Sequence, residues 1–212
     1  MQSRHLHLAA KWHMSGRLER KDMITMFIET EDTPNPATLK FLPGRSVTGD
    51  ARPVDFGDAD LAAGRSELAT ALFDQPNVRR VFLGGDFVSV TKSDDISWGD
   101  LKPVVLGTIT TFFESGRPVL SGTQSAPEHD VSPEDAEVVS RIQDLLDTRV
   151  RPAVAGDGGD IAFRGYRDGI VYLAMQGACS GCPSSRATLK HGVENMLRHY
   201  VPEVASVEQV ED

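Results

Sequence analysis

Residues 115–131, "SGRPVLSGTQSAPEHDV", constrain the fold more than any other stretch of this chain. Gly116, Gly122, Pro118, Pro127 and three serines break every apolar period on either side. A segment of this composition reads as a flexible linker. Seventeen such residues span roughly 20–25 Å r.m.s., enough to let two small domains move independently. A chain of 212 residues fits one large domain or two small ones, and the break selects two. The expected division is an extension over 1–25, a first domain over 26–114, the linker over 115–131 and a second domain over 132–212.

Charge and hydropathy exclude two classes of partner. The formal charge of −9 and pI of about 5.1 oppose binding to phosphate backbones, so no nucleic acid is expected. No apolar run approaches the ~20 residues of a membrane helix. Residues 1–25 are locally basic, with Arg4, Lys11, Arg17, Arg20 and Lys21 against Glu19 and Asp22. They also hold His5, His7 and His13. One reading is a mitochondrial transit peptide, against which stand the few serines and the short length; the favoured reading is a disordered or spurious extension with Met23 or Met26 as the start.

The first domain reads as strands and helices in alternation. "ATLKFLPG" (37–44) is a strand ending in a Pro-Gly turn. "SELATALF" (66–73) is a short helix. "VRRVFLGGDFVSVTK" (78–92) is a hairpin, with Val78, Val81 and Leu83 before the turn and Phe87, Val88 and Val90 after it. Residues 97–115 place Leu101, Val105, Ile109 and Phe112 at helical spacing, with Pro103 expected in the first turn. Trp98, Phe112 and Phe113 are expected in the core. Nothing in this domain looks catalytic.

The second domain opens at Ser132, an N-cap followed by Pro133 and then Glu134 and Asp135. Its helix is expected over 132–150, with Val138, Ile142, Leu145 and Leu146 inward. Residues 151–160, "RPAVAGDGGD", are expected to end that helix. The run Asp157-Gly158-Gly159-Asp160 is a turn, because two carboxylates are too few for a calcium cage. "IAFRGYRDGIVYLAM" (161–175) is a hairpin about Asp168-Gly169. A helix over 183–201 should bury Leu189, Val193, Met196, Leu197 and Tyr200, and 203–210 should be a last strand. The fold class is α+β: two small α+β domains, the second running helix, strand, strand, helix, strand.

Both cysteines of the chain, Cys179 and Cys182, stand in "GACSGCPSS" (177–185). Their closeness, with no secretory leader, indicates a reducing compartment. Pro183 opens a helix, and the unpaired N–H groups of a helix start favour thiolate. Gly177 and Gly181 leave room to bend around a bulky ligand, and the flanking glycines and serines argue against a packed core there. The spacing alone fits a redox dithiol, half a zinc site, half an iron–sulfur site or two buried cysteines. Iron–sulfur clusters usually take four thiolates, and one chain has two. His191 and His199 stand away from the helix start and read as surface residues. Two C-x-x-C pairs meeting on a two-fold axis would complete the set.

"VRPAVAGDGGDIAF" and "YLAMQGACSGCPSSRATLKHGVENMLRHYVPEVASVEQV" resemble the NifU-like C-terminal (Nfu) domain, and "MFIETEDTPNPATLKFLPG" resembles the domain that precedes it in Nfu proteins. The resemblance covers 26–114 and 132–212. It implies a non-enzymatic scaffold or carrier with a [4Fe-4S] cluster held between two protomers by Cys179 and Cys182 of each. It also implies a homodimer on cluster binding, an upstream scaffold as donor and apo iron–sulfur proteins as targets; the first domain either selects those targets, which family analogy favours, or adds stability and solubility. The compartment implied is the bacterial cytoplasm or, alternatively, the mitochondrial matrix. The rival readings are a thioredoxin-like dithiol/disulfide oxidoreductase and a zinc-bridged dimer. No aromatic residue precedes Cys179, and the intervening pair is Ser-Gly, which disfavours the oxidoreductase.

Overall fold

The computed structural model describes residues 27–49, 51–121, 132–181 and 183–211. The expected extension over 1–25 lies outside these residues, as does the stretch 122–131 of the expected linker.

The first domain is an antiparallel five-stranded sheet in the order β1-β2-β5-β4-β3. Its strands are β1 (Glu29–Asp32), β2 (Thr38–Leu42), β3 (Val54–Phe56), β4 (Val78–Leu83) and β5 (Val88–Lys92). Three helices accompany it: α1 (Ala59–Ala62), α2 (Glu67–Phe73) and α3 (Trp98–Glu114). Strand alternation sends Leu39, Phe41, Val54, Phe56, Val81, Leu83, Val88 and Val90 to one face. There they form a core with Leu68 and Leu72 of α2 and with Leu101, Val105, Ile109, Phe112 and Phe113 of α3. Trp98 packs at its margin and donates from Nε1 to Pro36 O. Ser66 and Ser97 cap α2 and α3 by accepting from Ala69 N and Asp100 N.

Two expectations about this domain need correction. Pro103 lies inside α3, beyond its first turn. The carbonyl it deprives of a partner belongs to Gly99, which is exposed and can be solvated. Residues 115–121 are not free linker. Gly116 (φ 68) turns the chain at the end of α3, Val119 is buried in the core, and Ser121 N donates to Arg65 O.

The second domain is a three-stranded sheet, β6 (Gly159–Arg167), β7 (Ile170–Gly177) and β8 (Ser206–Val210), with β6-β7 antiparallel and β7-β8 parallel. Asp168 (φ 50) and Gly169 (φ 79) form the expected tight hairpin turn. The first helical segment outlasts the expected stop. After a 3-10 turn at Pro133–Asp135 come α4 (Ala136–Leu145), a π segment at Leu146–Val150 and α5 (Arg151–Gly156). Pro152 cannot donate to the preceding turn, and the wider π turn before it accommodates the ring so that the helix continues. The buried stripe is therefore Val139, Ile142, Leu146, Val150 and Val154, with Val138 and Leu145 at its flank.

Helix α6 (Pro183–Tyr200) buries Val193 and Leu197. Tyr200, expected inward, is 45% exposed. Val201, fully buried, occupies the inward place at the helix end, and Tyr200 instead accepts from Arg149 NH1 at 2.8 Å. His191 and His199 are exposed, as expected. Among the described residues no helix is long and apolar enough to cross a membrane.

Candidate metal centre

The thiol loop hangs between β7 and α6. Gly177 ends β7 with φ 62 and ψ −135, a conformation open essentially to glycine. The chain then makes a 3-10 turn over Ala178–Ser180, closed by Ser180 Oγ donating to Gly177 O at 2.9 Å. Beneath it lies the turn between α5 and β6. Gly158 (φ 79) accepts from Ala178 N at 3.2 Å, joining the two turns. Gly159 lies so close that a Cβ there would fall 2.8 Å from Cys179 Sγ and 2.6 Å from Gln176 O.

Cys179 is consequently buried and belongs to the hydrophobic core of its domain. This corrects the expectation that glycines and serines keep the first cysteine out of a packed environment. The small residues bring two backbone turns together, and the thiol fills the space between them. Cys182 falls outside the described residues.

The turn is held by ionic contacts on its far side. Asp160, 5% exposed, takes Arg151 Nε and NH2 at 2.8 and 2.7 Å and its neighbour Ile161 N at 2.8 Å. The bidentate hydrogen bond to Asp160 pushes the Arg151 pKa up despite desolvation, so the cation is permanent. The turn expected over Asp157–Asp160 is confined to Asp157 and Gly158; Gly159 and Asp160 already pair in β6, and Asp160 anchors α5. Among the described residues, no three His, Cys, Asp or Glu side chains gather into a metal-binding group.

The loop does not stand alone. The first domain lays the second face of its sheet against it. Asn35 Nδ2 donates to Ala178 O at 3.4 Å, and Ser89 Oγ donates to Gly158 O at 2.6 Å. Lys40 Nζ donates to Gly156 O at 3.3 Å, and Asp55 Oδ2 accepts from Gly177 N at 3.2 Å. The expectation of two independently moving domains gives way to a docked arrangement. The residues responsible were not anticipated from sequence. A usable signal was present: Phe82 stands on the otherwise polar side of β4, out of phase with Val81 and Leu83.

The "TPNPAT" segment (33–38) also gains a purpose. Asn35 Oδ1 accepts from Ala37 N at 3.0 Å and Asn35 O accepts from Thr38 N at 2.8 Å. That turn between β1 and β2 presents the Asn35 amide to the cysteine loop.

Two α+β units with a C-x-x-C loop joining strand to helix define a class of dithiol-bearing two-domain proteins. Residues 28–116 match the family described as "Scaffold protein Nfu/NifU N terminal", and residues 142–208 match the "NifU-like domain" family. A relative from Drosophila virilis, "NFU1 iron-sulfur cluster scaffold homolog, mitochondrial", is 51% identical over 197 residues, covering 93% of this chain and 65% of the relative. "NifU-like protein 4, mitochondrial" from Arabidopsis thaliana is 50% identical over 206 residues, covering 95% and 71% respectively. The chain thus spans about two-thirds of the length of these relatives. A solution structure of a NifU-like protein from Saccharomyces cerevisiae matches with a TM-score of 0.42 and 26% identity, over 58% of this chain and all of that one. The chain belongs to the NifU-like (Nfu) family.

Proposed function

We propose that this protein is an iron–sulfur cluster scaffold and carrier. A [4Fe-4S] cluster is its cargo, held between two protomers by Cys179 and Cys182 of each and passed to apo target proteins. The observation that carries the reading is the C-x-x-C at the strand-to-helix junction, in a chain whose family relatives are named iron–sulfur cluster scaffolds. Two thiolates per chain meet the usual four-thiolate demand only when two chains contribute. Both cysteines being the whole thiol complement of the chain, the dimer forms with its cargo and dissolves without it.

Release is ligand exchange and needs no catalytic residue. A target thiol loses its proton and its sulfur bonds to a cluster iron. The displaced Cys179 or Cys182 sulfur leaves as thiolate and takes a proton. No electrons change hands, and four such exchanges transfer the cargo. The upstream donor delivers by the same step reversed. Of the two compartments expected, the names of the relatives favour the mitochondrion, and none of those names supports the bacterial cytoplasm.

Anaerobic reconstitution with iron and sulfide tests the reading. The wild-type protein should bind about four irons and four sulfides per dimer and absorb broadly near 400 nm. Cys179→Ser and Cys182→Ser should each bind none while both domains stay folded. A full cluster retained by Cys182→Ser would sink the assignment. A colourless protein binding one zinc per dimer would turn it to the zinc-bridged reading.

A further inference from the structure

Five residues form one transverse row on the sheet face opposite the first domain's core. Glu31 pairs with Lys40, Lys40 with Ser89, Ser89 with Phe82 and Phe82 with Asp55, so the row crosses all five strands. Its outer member Glu31 is exposed; Lys40, Ser89 and Phe82 are 7%, 2% and 1% exposed. Phe82 is buried without belonging to the core of either domain. Its ring lies against Gly177, where a Cβ would meet Phe82 Cγ at 2.9 Å. The row is buried between Phe87 of its own domain, which flanks Phe82 and Lys40, and the α5–β6 turn and cysteine loop of the other domain.

We propose that this row and Asn35 form a latch. The first domain docks on the cysteine loop of its own chain and covers it, and cluster loading requires the docked domain to lift. The inference rests on the cluster reading above.

The receiving surface is cut for this contact. A Cβ at Gly158 would fall 2.9 Å from Ser89 Oγ, and one at Gly181 would fall 2.8 Å from Asn35 Nδ2. Gly181 has φ −98 and ψ −5, the third-residue conformation of a type I turn, which is compatible with most residues. Its lack of a side chain answers to the approach of Asn35 between the two cysteines. The contacts made by Lys40, Ser89, Asp55 and Asn35 described above go to main-chain atoms, of Gly156, Gly158, Gly177 and Ala178.

The contact is also built to part. Water can replace a partner at each main-chain atom once the surfaces separate. The two charges keep partners within their own domain: Lys40 keeps Glu31 at 3.0 Å and the Phe87 ring at 4.9 Å, and Asp55 keeps Arg80. Undocking strands neither ion. While docked, the β1–β2 turn and β5 lie over the loop where a second protomer would have to bring its own cysteines.

The test reads thiol accessibility in the full-length apo protein. Cys182→Ser leaves Cys179 as the single thiol, and its alkylation is timed under native conditions. The Cys179 sulfur lies between the two turns that Ser89 and Asn35 hold at Gly158 O and Ala178 O, so lifting the first domain frees those turns to part. Adding Ser89→Arg, which forces a long cation against Gly158, should raise the rate at least about tenfold by populating the open form. Phe82→Ala, which removes a ring outside both cores, should act in the same direction if the arginine variant does not fold. Equal rates in the parent and in a folded Phe82→Ala variant overturn the latch. The two-cysteine versions of the same substitutions should take up iron and sulfide faster than wild type. Unchanged uptake alongside faster alkylation also overturns the gating. Faster alkylation with no cluster in any version, wild type included, leaves the docked contact standing and removes the cluster reading instead.

Discussion

The two faces of the five-stranded sheet are both buried, but by different chemistry. One face carries Leu39, Phe41, Val81, Leu83, Val88 and Val90 into a continuous apolar core. The other carries Lys40 and Ser89 to the backbone of the α5–β6 turn, and Phe82 and Asp55 to Gly177 at the start of the cysteine loop. Apolar side chains packed at crystal-like density have no comparable partner in water, so the first face holds as long as the domain is folded. Hydrogen bonds to main-chain N–H and C=O groups exchange with water at small net cost, so the second face can separate while the fold survives. Burial alone does not tell a core from a reversible interface; the partners available after separation do.

Substitutions can pull this contrast apart. The largest effect belongs to the first face. Phe41→Ala should destabilise the first domain by about 3–5 kcal/mol, measured by urea unfolding, because a fully buried ring leaves a cavity. Gly177→Val comes next. A φ of 62 and Cβ contacts of 2.8 Å to Gly158 O and 3.0 Å to Gly159 Cα should cost the second domain about 2–3 kcal/mol and expel Phe82 from the loop. Arg151→Ala should cost that domain about 2 kcal/mol in thermal or urea melts, since Asp160 stays buried without its bidentate partner.

Ser89→Ala is the sharper probe of the second face. It should weaken docking by about 1 kcal/mol, seen as faster Cys179 alkylation, while the melting of the first domain stays unchanged. The smallest effect lies far from both faces, at Glu203. Its hydrogen bond from Arg141 at 2.6 Å holds its pKa below the ordinary value. A lowered carboxylate stabilises the fold above its unfolded pKa and loses that contribution as pH falls through the folded one. Urea melts between about pH 3 and 5 should therefore show a slight acid loss that Glu203→Gln lacks.

Much of the fold was legible because it rests on local signals. Strand alternation, the Asp168-Gly169 turn and the Ser132 cap each act within a few residues. The helix stripe drifted where a π segment before Pro152 changed the period, which no repeat counted along the sequence at 3.6 residues per turn would follow. Tyr200 looked inward by spacing and was displaced by Val201 at the helix end. The cysteines were legible as a pair, but their setting was not. Gly158, Gly177 and Gly181 suggested freedom of the backbone, whereas they admit Ser89, Phe82 and Asn35 from residues at least sixty positions away in sequence. A strand's polar face normally meets water, so Lys40 and Ser89 gave no sign of a partner. Only the out-of-phase Phe82 marked that face as covered.

The central claim, that the second face opens when the cargo is loaded while the first stays shut, is most directly tested by anaerobic carbene footprinting of apo and reconstituted protein. In the apo protein Phe82 should be as protected as Phe41, at 1% and 0% exposure. On reconstitution, label should appear at Phe82 and remain absent from Phe41. Equal protection of Phe82 in both forms, with a full complement of iron and sulfide bound, would contradict the account.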